Sequence, residues 1–306
     1  MAESNKKDAS VHEGIMTDGA DTAAPPPRAG VSQSTTAPWT LAEDARAYAQ
    51  RGWDAIGIWL HKLERASMTE FWFPELRLTD ETVAGAAAAV DAAGIAVSHV
   101  ALAGRFTEAD DTVRAERIEH AVHAADVAVR FGAACLVVVP GRLDGLAPAR
   151  AQSMAAGALA EVLERAPGSR LAIEPVKEVD FATTLDEALD LVELVDHPRL
   201  GVFPDGFQLW RDPGIADALA RAGDRVLGVH LADGTGAEGD RTRLPPGEGV
   251  LPLDAFVAAV EATGYAGTYD VELFSMGSTR DEAGALLDRC AAGLRTLLPA
   301  AAAAGA

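Results

Sequence analysis

The chain alternates strictly between two kinds of segment, and this alternation limits the folds open to it. Short apolar or β-branched runs, each the length of one strand, are followed by longer Ala-, Leu- and Val-rich segments with helical periodicity. Glycines such as Gly94, Gly132 and Gly264 end helical segments just before the next apolar run. Repeated strand–helix units predict parallel βαβ connections and therefore an α/β fold.

The periodicity predicts eight strands and eight helices. The predicted strands are Val31–Thr35, Ala55–Trp59, Ala96–Leu102, Cys135–Val139, Leu171–Glu174, Leu200–Pro204, Val226–His230 and Thr268–Leu273. The predicted helices are Leu41–Arg51, Thr79–Ala93, Val113–Phe131, Ala149–Arg165, Leu185–Val195, Pro213–Ala222, Leu253–Thr263 and Asp281–Leu298. An open dinucleotide-binding sheet begins with a glycine-rich turn, whereas the first turn here reads SQSTTAPW. We therefore predict a closed (β/α)8 TIM barrel whose active site lies at the carboxyl ends of the strands.

We expect residues 30–298 to form this barrel as a single domain. Residues 1–29 are polar, lack periodicity and contain three consecutive prolines, which predicts a disordered tail. Residues 299–306 are mostly alanine and are expected to form a second, Ala-rich tail. Because barrels of this kind commonly pair through their helices, both a monomer and a homo-oligomer are compatible with the sequence.

Composition restricts the partners and the compartment. The 306 residues carry a formal net charge of −20, which disfavours nucleic acid and anionic membranes as partners. The sequence contains neither a signal-peptide pattern nor an apolar run of the roughly 20 residues that a membrane span requires. Its two cysteines, Cys135 and Cys290, form no paired motif, so a reduced, cytoplasmic setting is expected.

Four potential metal ligands end four consecutive predicted strands. They are Glu174, Asp205, His230 and Glu272, hereafter the carboxylate–histidine cluster. Because the carboxyl ends of parallel strands open onto the same mouth of a barrel, these side chains should converge. Three converging carboxylates repel one another unless a cation lies between them. Oxygen ligands with one imidazole favour a single divalent ion, Mn²⁺ ahead of Mg²⁺ or Co²⁺, although separate helix caps or arginine pairs are alternative roles.

Several stretches around these residues resemble one family. They are IEPVKEVDFATTLDEALDLV, FPDGFQLWRDP, VLGVHLAD, DRTRLPPGEGVLPL and GYAGTYDVELFS, and weaker similarity extends over about residues 30–298. In this order they are similar to the xylose isomerase-like barrels, a superfamily of sugar phosphate isomerases, epimerases and inosose dehydratases. The resemblance implies that the carboxylate–histidine cluster binds the metal, and that Glu174 and Glu272 also act as acid/base groups on opposite faces of the substrate.

The implied reaction is consistent with elementary chemistry. A cation that chelates a carbonyl oxygen and the neighbouring hydroxyl acidifies the C–H bond between them and stabilises the enediolate. Two carboxylates can then move the proton to another face or carbon, as in an isomerase or epimerase of a sugar or related polyhydroxy carbonyl compound. Loss of a β-hydroxyl instead gives a lyase, of the inosose or dehydroshikimate dehydratase type or a carbon-glycoside-cleaving subunit. A non-catalytic sugar-binding subunit is the third alternative.

The same motifs suggest substrate contacts. Gln208 stands where the family usually has a histidine, and its amide can bind a hydroxyl but cannot carry a proton. Trp210 lies in the same motif. In the glycine-rich segment after His230, Arg243 best matches the family's substrate-binding arginine, with Arg241 as the alternative. Asp233 is expected either to orient the His230 imidazole or to cap a loop.

The first half of the barrel offers weaker candidates for the pocket wall. His61 and His99 are predicted substrate contacts, with buried core histidines as the competing interpretation. Further wall candidates are Trp59, Lys62, Arg105 and Phe106. His120 and His123 lie within a predicted helix, which places them away from the site.

Overall fold

Eight parallel strands form one curled sheet in the computed structural model, which describes residues 28–64, 78–275 and 278–298. They are β1 (Arg28–Ser32), β2 (Ala55–Trp59), β3 (Ala96–Gly104), β4 (Leu136–Val139), β5 (Leu171–Ile173), β6 (Leu200–Val202), β7 (Val229–Leu231) and β10 (Thr268–Val271). The order is β6-β5-β4-β3-β2-β1-β10-β7. Parallel bridges from Val202 to Val226 and from Asp205 to His230 join the two outer strands. The predicted TIM barrel is confirmed.

The helices surround this sheet, and each of the eight predicted helices is present with ends within two residues of expectation. The structure has α1 (Leu41–Gln50), α2 (His61–Glu64), α3 (Asp80–Ala93), α4 (Asp111–Arg130), α5 (Pro148–Arg165), α6 (Leu185–Val195), α7 (Gly206–Leu209), α8 (Ile215–Ala222), α9 (Leu253–Glu261) and α10 (Arg280–Leu297). The short helices α2 and α7 were not predicted. None of these helices, among the residues described, is long and apolar enough to cross a bilayer.

Local sequence explains where several helices begin. The side chains of Thr40, Thr184 and Thr279 each accept a hydrogen bond from the backbone N–H of a glutamate three residues later. The carboxylate of that glutamate in turn accepts one from the backbone N–H of the threonine. These capping boxes satisfy N–H groups that the helix itself leaves unpaired. They set the start of α1, α6 and α10.

The first strand was predicted three residues too late. β1 begins at Arg28, inside the segment expected to be a tail, and pairs with both β2 and β10. The residues after it, Gln33–Thr36, form a buried 3₁₀ turn instead. The bounds of β1 therefore follow from its pairing with strands on both sides. The β-branched residues at the end of the predicted run do not extend the strand. Of the predicted tails 1–29 and 299–306, residues 1–27 and 299–306 lie outside the described residues.

A small antiparallel hairpin was also missed. β8 (Asp233–Gly234) pairs with β9 (Arg243–Leu244) in the long segment between β7 and α9. The hairpin brings Arg243 back over the barrel mouth, close to the strand end from which the segment departs.

Candidate active site

The carboxylate–histidine cluster forms at the carboxyl ends of β5, β6, β7 and β10. One ligand atom from each of its four residues lies within 4.8 Å of the others, and all four residues are buried. The backbone N–H of Glu174 donates to Val138 O and that of Glu272 to Leu231 O. These bonds continue the strand ladders by one residue, which directs both side chains to the same mouth. The predicted convergence is observed.

Asp205 and His230 complete the cluster from neighbouring strand ends. The Asp205 carboxylate accepts a hydrogen bond of 2.8 Å from Phe207 N and so caps α7. His230 directs Nδ1 towards the carboxylates, at 2.9 Å from Glu174 Oε1 and 3.5 Å from Glu272 Oε2. The imidazole therefore presents one nitrogen to the space shared by the three acids.

Burial of several carboxylates together shifts their titration. Burial, reinforced by the neighbouring Asp205 charge, raises the pKa of Glu174 from 4.5 to about 8. Burial, with Glu174 nearby, raises the pKa of Glu272 to about 7. A further positive charge nearby would therefore stabilise the ionised form of both carboxylates. A set of three carboxylates and one imidazole suits a divalent cation.

Arg243 is the positive side chain in direct contact with the cluster. Its Nη2 lies 2.8 Å from Asp205 Oδ2, and its Nη1 donates to the Glu272 carbonyl oxygen at 3.2 Å. The rings of Phe207 and Phe274 each lie 4.7 Å from the guanidinium carbon. Once all three carboxylates are ionised, the one guanidinium that contacts them among the described residues leaves two negative charges, which a single divalent ion would neutralise. The donor set and the charge balance therefore fit a metal ion.

A cavity of about 200 Å³ lies directly over the cluster. Among the described residues, its wall combines six apolar side chains with five polar or charged ones. The lining residues are Trp59, Ala101, Leu102, Val139, Glu174, Val176, Glu178, Gln208, Arg243, Glu272 and Phe274. Such a cavity suits a small molecule with an apolar face and several polar substituents.

The sequence identifies the family to which this site belongs. The model of the family described as xylose isomerase-like TIM barrel matches residues 45–297. The chain belongs to this family.

Relatives of this xylose isomerase-like barrel are enzymes that act on small polyhydroxylated compounds. The 3-dehydroshikimate dehydratase of Pseudomonas putida is 31% identical over 138 residues, which are 43% of this chain and 21% of that enzyme. The D-psicose 3-epimerase of Enterocloster bolteae is 32% identical over 94 residues, 30% of this chain and 29% of that enzyme. The matched segments thus span less than a third of either relative.

Solved structures share the whole barrel. The structure described as IOLI protein with a bound zinc atom superimposes with a TM-score of 0.74 at 21% identity, covering 89% of this chain and 98% of that one. At this identity the likeness shows the fold alone.

Several predicted substrate contacts of this xylose isomerase-like barrel do line the cavity. Gln208 is buried there, and its amide donates to Glu178 Oε2 at 2.9 Å while accepting from Lys177 N at 3.0 Å. Arg241 pairs with Glu178 and donates to Gln208 Oε1, but its side chain is 45% exposed. Arg243 is the arginine closer to the cluster, as its motif suggested.

The structure places the other candidate substrate contacts outside the cavity lining. His99 is completely buried beneath His230, so it faces the ring of a cluster residue and not the cavity. Trp210 ends α7 and stacks on Arg211 outside the cavity lining. His61 packs behind Trp59, with ring centroids 6.3 Å apart. Asp233 accepts hydrogen bonds from the backbone of Gly234, Gly247 and Leu251 and so caps the loop, which was one of its two expected roles.

The basic and aromatic wall predicted on the first half of the barrel is largely absent from the lining. Lys62 is buried against Asp44 at 2.6 Å, Arg105 pairs with Glu108, and Phe106 is packed in the core. Trp59 does line the cavity. His120 and His123 lie in α4, as expected.

Two of the lining residues that escaped prediction have a recognisable signal in the sequence. Phe274 follows Glu272 by two positions, and side chains two positions apart in an extended chain lie on the same face. Glu178 lies in the loop directly after β5, where barrel enzymes place functional side chains.

Proposed function

We propose that this chain is a divalent-metal-dependent isomerase or epimerase of a sugar or related polyhydroxy carbonyl compound. The observation that carries the proposal is the convergence of the carboxylate–histidine cluster at the floor of a small cavity. Mn²⁺ is the ion we expect, and Mg²⁺ or Co²⁺ are alternatives with similar ligand preferences. The zinc atom in the IOLI structure supports a site for a single ion.

The cluster residues would hold the ion, which when bound would polarise the carbonyl group of the substrate. Glu174 and Glu272 are the proposed proton carriers, because both line the cavity and both are poised to titrate near neutrality. One takes the proton from the carbon beside the carbonyl, and the other returns a proton to the opposite face or to the neighbouring carbon. Arg243 holds the adjacent carboxylate of Asp205 in position through their ion pair.

The remaining polar lining is proposed to bind hydroxyl groups. Gln208 is neutral and held by Glu178 and Lys177, so it can position a hydroxyl without taking its proton. Glu178 offers an acceptor beside it. Trp59 and Phe274 supply an apolar surface for one face of the substrate.

Incubating the Mn²⁺ protein with ketoses and keto-inositols in D₂O tests the reaction type. Isomerisation or epimerisation incorporates deuterium at carbon without loss of water from the product. The control is the Glu174→Gln variant, which keeps the shape of the side chain and removes its capacity to accept a proton. Absence of exchange and of product with every substrate, despite bound metal, would contradict the proposal.

A lyase is the second candidate, and the segment shared with 3-dehydroshikimate dehydratase favours it. The apolar wall of Leu102, Val139 and Val176 also suits the face of a carbocycle. Loss of water from the substrate, detected by mass and by the absorbance of the conjugated product, would identify this reaction in the same incubations.

Metal analysis distinguishes both enzymes from a non-catalytic sugar-binding subunit. Protein purified without chelator should contain close to one divalent ion per chain, or regain one with Mn²⁺. A cytoplasmic location is part of the proposal, since Cys135 and Cys290 are both buried and unpaired.

A further inference from the structure

A chain of buried polar groups runs below the carboxylate–histidine cluster, towards the amino-terminal ends of the strands. His230 Nε2 lies 3.3 Å from His99 Nε2, and His99 Nδ1 lies 3.1 Å from Ser98 Oγ. Ser98 Oγ donates to Asp270 Oδ1 at 2.7 Å, and Asp270 Oδ2 lies 3.7 Å from His99 Nδ1. We call Ser98, His99 and Asp270 the interior polar chain.

The interior polar chain has one consistent direction of hydrogen bonding. Ser98 donates its only hydroxyl hydrogen to Asp270, so its oxygen can accept from His99 Nδ1–H. His99 Nε2 is then a bare acceptor, which requires the proton of His230 to be on Nε2. That tautomer leaves His230 Nδ1 bare, and Nδ1 is the nitrogen that faces the three carboxylates.

The backbone is shaped to admit these side chains into the barrel interior. Gly57 pairs with His99 and Ile56 with Val97, so Ser98 is an extra residue in a β-bulge. A bulge re-aims side chains, which explains how the successive residues Ser98 and His99 both contact Asp270. A Cβ atom on Gly57 would lie 2.2 Å from the His99 ring, and one on Gly30 would lie 2.3 Å from Asp270 Oδ1. Both glycines therefore leave space that the interior polar chain fills.

Packing holds the two imidazoles in this relation. The Phe203 ring lies 4.9 Å from the His99 ring and 4.5 Å from the His230 ring, between centroids. His99, His230 and Asp270 are all completely buried. A carboxylate is costly to bury in an apolar barrel, and filling this space with apolar side chains would avoid that cost. The polar groups thus point to a role beyond packing.

We propose that Ser98, His99 and Asp270 are positioning residues that set the tautomer and orientation of His230 from within the barrel. This inference rests on the proposed function, because it takes His230 Nδ1 to be a metal ligand. Hydrogen-bonded partners of a ligating imidazole raise metal affinity by holding the ring in place. The interior polar chain supplies such partners to this one.

Calorimetric titration with Co²⁺ and the visible spectrum of the bound ion test the inference without reference to activity. His99→Leu removes the acceptor at similar size and should weaken Co²⁺ binding by roughly 10- to 100-fold. His99→Gln restores an acceptor of similar reach and should recover most of the affinity. Asp44→Asn is the matched control, since Asp44 is equally buried but bonds to Gln33, Thr36 and Lys62. It should lower thermal stability and leave Co²⁺ affinity unchanged.

A measurement on the unsubstituted protein keeps the inference testable if His99→Leu does not fold. Long-range ¹H–¹⁵N correlation spectra of the Zn²⁺ protein, with labelled histidine, should show His99 as the neutral Nδ1–H tautomer. His99→Gln identifies its signals. A proton on His99 Nε2, or equal Co²⁺ affinity for His99→Leu and the unsubstituted protein, would overturn the inference. If the unsubstituted protein binds no divalent ion, the proposed function itself fails.

Discussion

Each carboxylate of the carboxylate–histidine cluster is buried beside another, an arrangement that costs free energy unless positive charge lies close by. Arg243 provides part of that charge through Asp205 and Glu272. In the proposed function, a bound cation would supply the remaining positive charge. Two substitutions at this scale separate the role of the acids from the role of the guanidinium.

Replacing Glu272 by glutamine should abolish most turnover. The amide keeps the shape of the side chain but removes one negative ligand and one proton carrier, and loss of a general acid or base typically costs about 10²- to 10⁴-fold in rate. The measurement is kcat at saturating Mn²⁺, with metal content determined in parallel. Glu248→Gln is the control, because Glu248 pairs with Arg289 on the outer surface. Equal activities of the two variants would contradict the assignment.

Replacing Arg243 by methionine should destabilise the metal-free protein by about 3 kcal/mol, because two buried carboxylates lose their partner. Mn²⁺ should restore part of the loss. Urea unfolding with and without Mn²⁺ measures both effects. Arg241→Met is the matched control: its pair with Glu178 is largely exposed, and such pairs contribute less than about 1 kcal/mol. A loss for Arg243→Met no greater than for the control would exclude a buried ionic role.

Among the elements, the segment from β8 to the start of α9 shows how one side chain holds a long loop in place. It contains many glycines and yet carries Arg243 to a defined position. Asp233 organises it, because its carboxylate accepts from the backbone N–H groups of Gly234, Gly247 and Leu251. With these three hydrogen bonds, the buried carboxylate stabilises the conformation of the loop.

Asp233→Ala should therefore loosen the loop without unfolding the barrel. The three N–H groups lose their acceptor, so hydrogen exchange over residues 234–251 should accelerate while exchange in β5 and β7 stays slow. Glu238→Ala removes an exposed carboxylate of the same segment and serves as the control. Similar exchange in both variants would show that Asp233 does not organise the loop.

At the scale of the whole molecule, the shifted pKa values of the cluster couple the folding of the barrel to pH. The folded-state pKa values of Glu174 and Glu272 are raised from 4.5 to about 8 and about 7. A raised pKa contributes stability that is present below pH 4.5 and is lost as the pH rises through the folded value. The cluster thus stabilises the metal-free barrel in its protonated form.

The metal-free protein should accordingly lose unfolding free energy as the pH rises through 7 to 8. In Mn²⁺ this loss should diminish or reverse, because the deprotonated carboxylates bind the ion more tightly. Chemical unfolding across this pH range, in EDTA and in Mn²⁺, provides the measurement. The Glu174→Gln, Glu272→Gln double variant should show a flatter pH dependence in EDTA. A dependence as steep as that of the unsubstituted protein would assign the effect to other groups.

The sequence alone determined the architecture and the identity of the cluster, because both depend on local order along the chain. Strand and helix periods recur unit by unit, and Glu174, Asp205 and His230 each directly follow or end an apolar run. Since parallel strands place such positions at one mouth, convergence followed from the topology. Arg243, with Arg241 as the alternative, was suggested instead by the resemblance of its motif to the family.

Only the tertiary structure decided how the other side chains are used, because their environment comes from residues far away in sequence. His99 looked like a pocket histidine, but Gly57 and a β-bulge place it under His230. Lys62 was a candidate for the pocket wall, but it is buried in an ion pair with Asp44 of α1. Likewise, β1 begins at Arg28 because β2 and β10 pair with it on both sides. Periodicity reports which way a residue faces along its own element, whereas the partner it meets there depends on how the barrel closes.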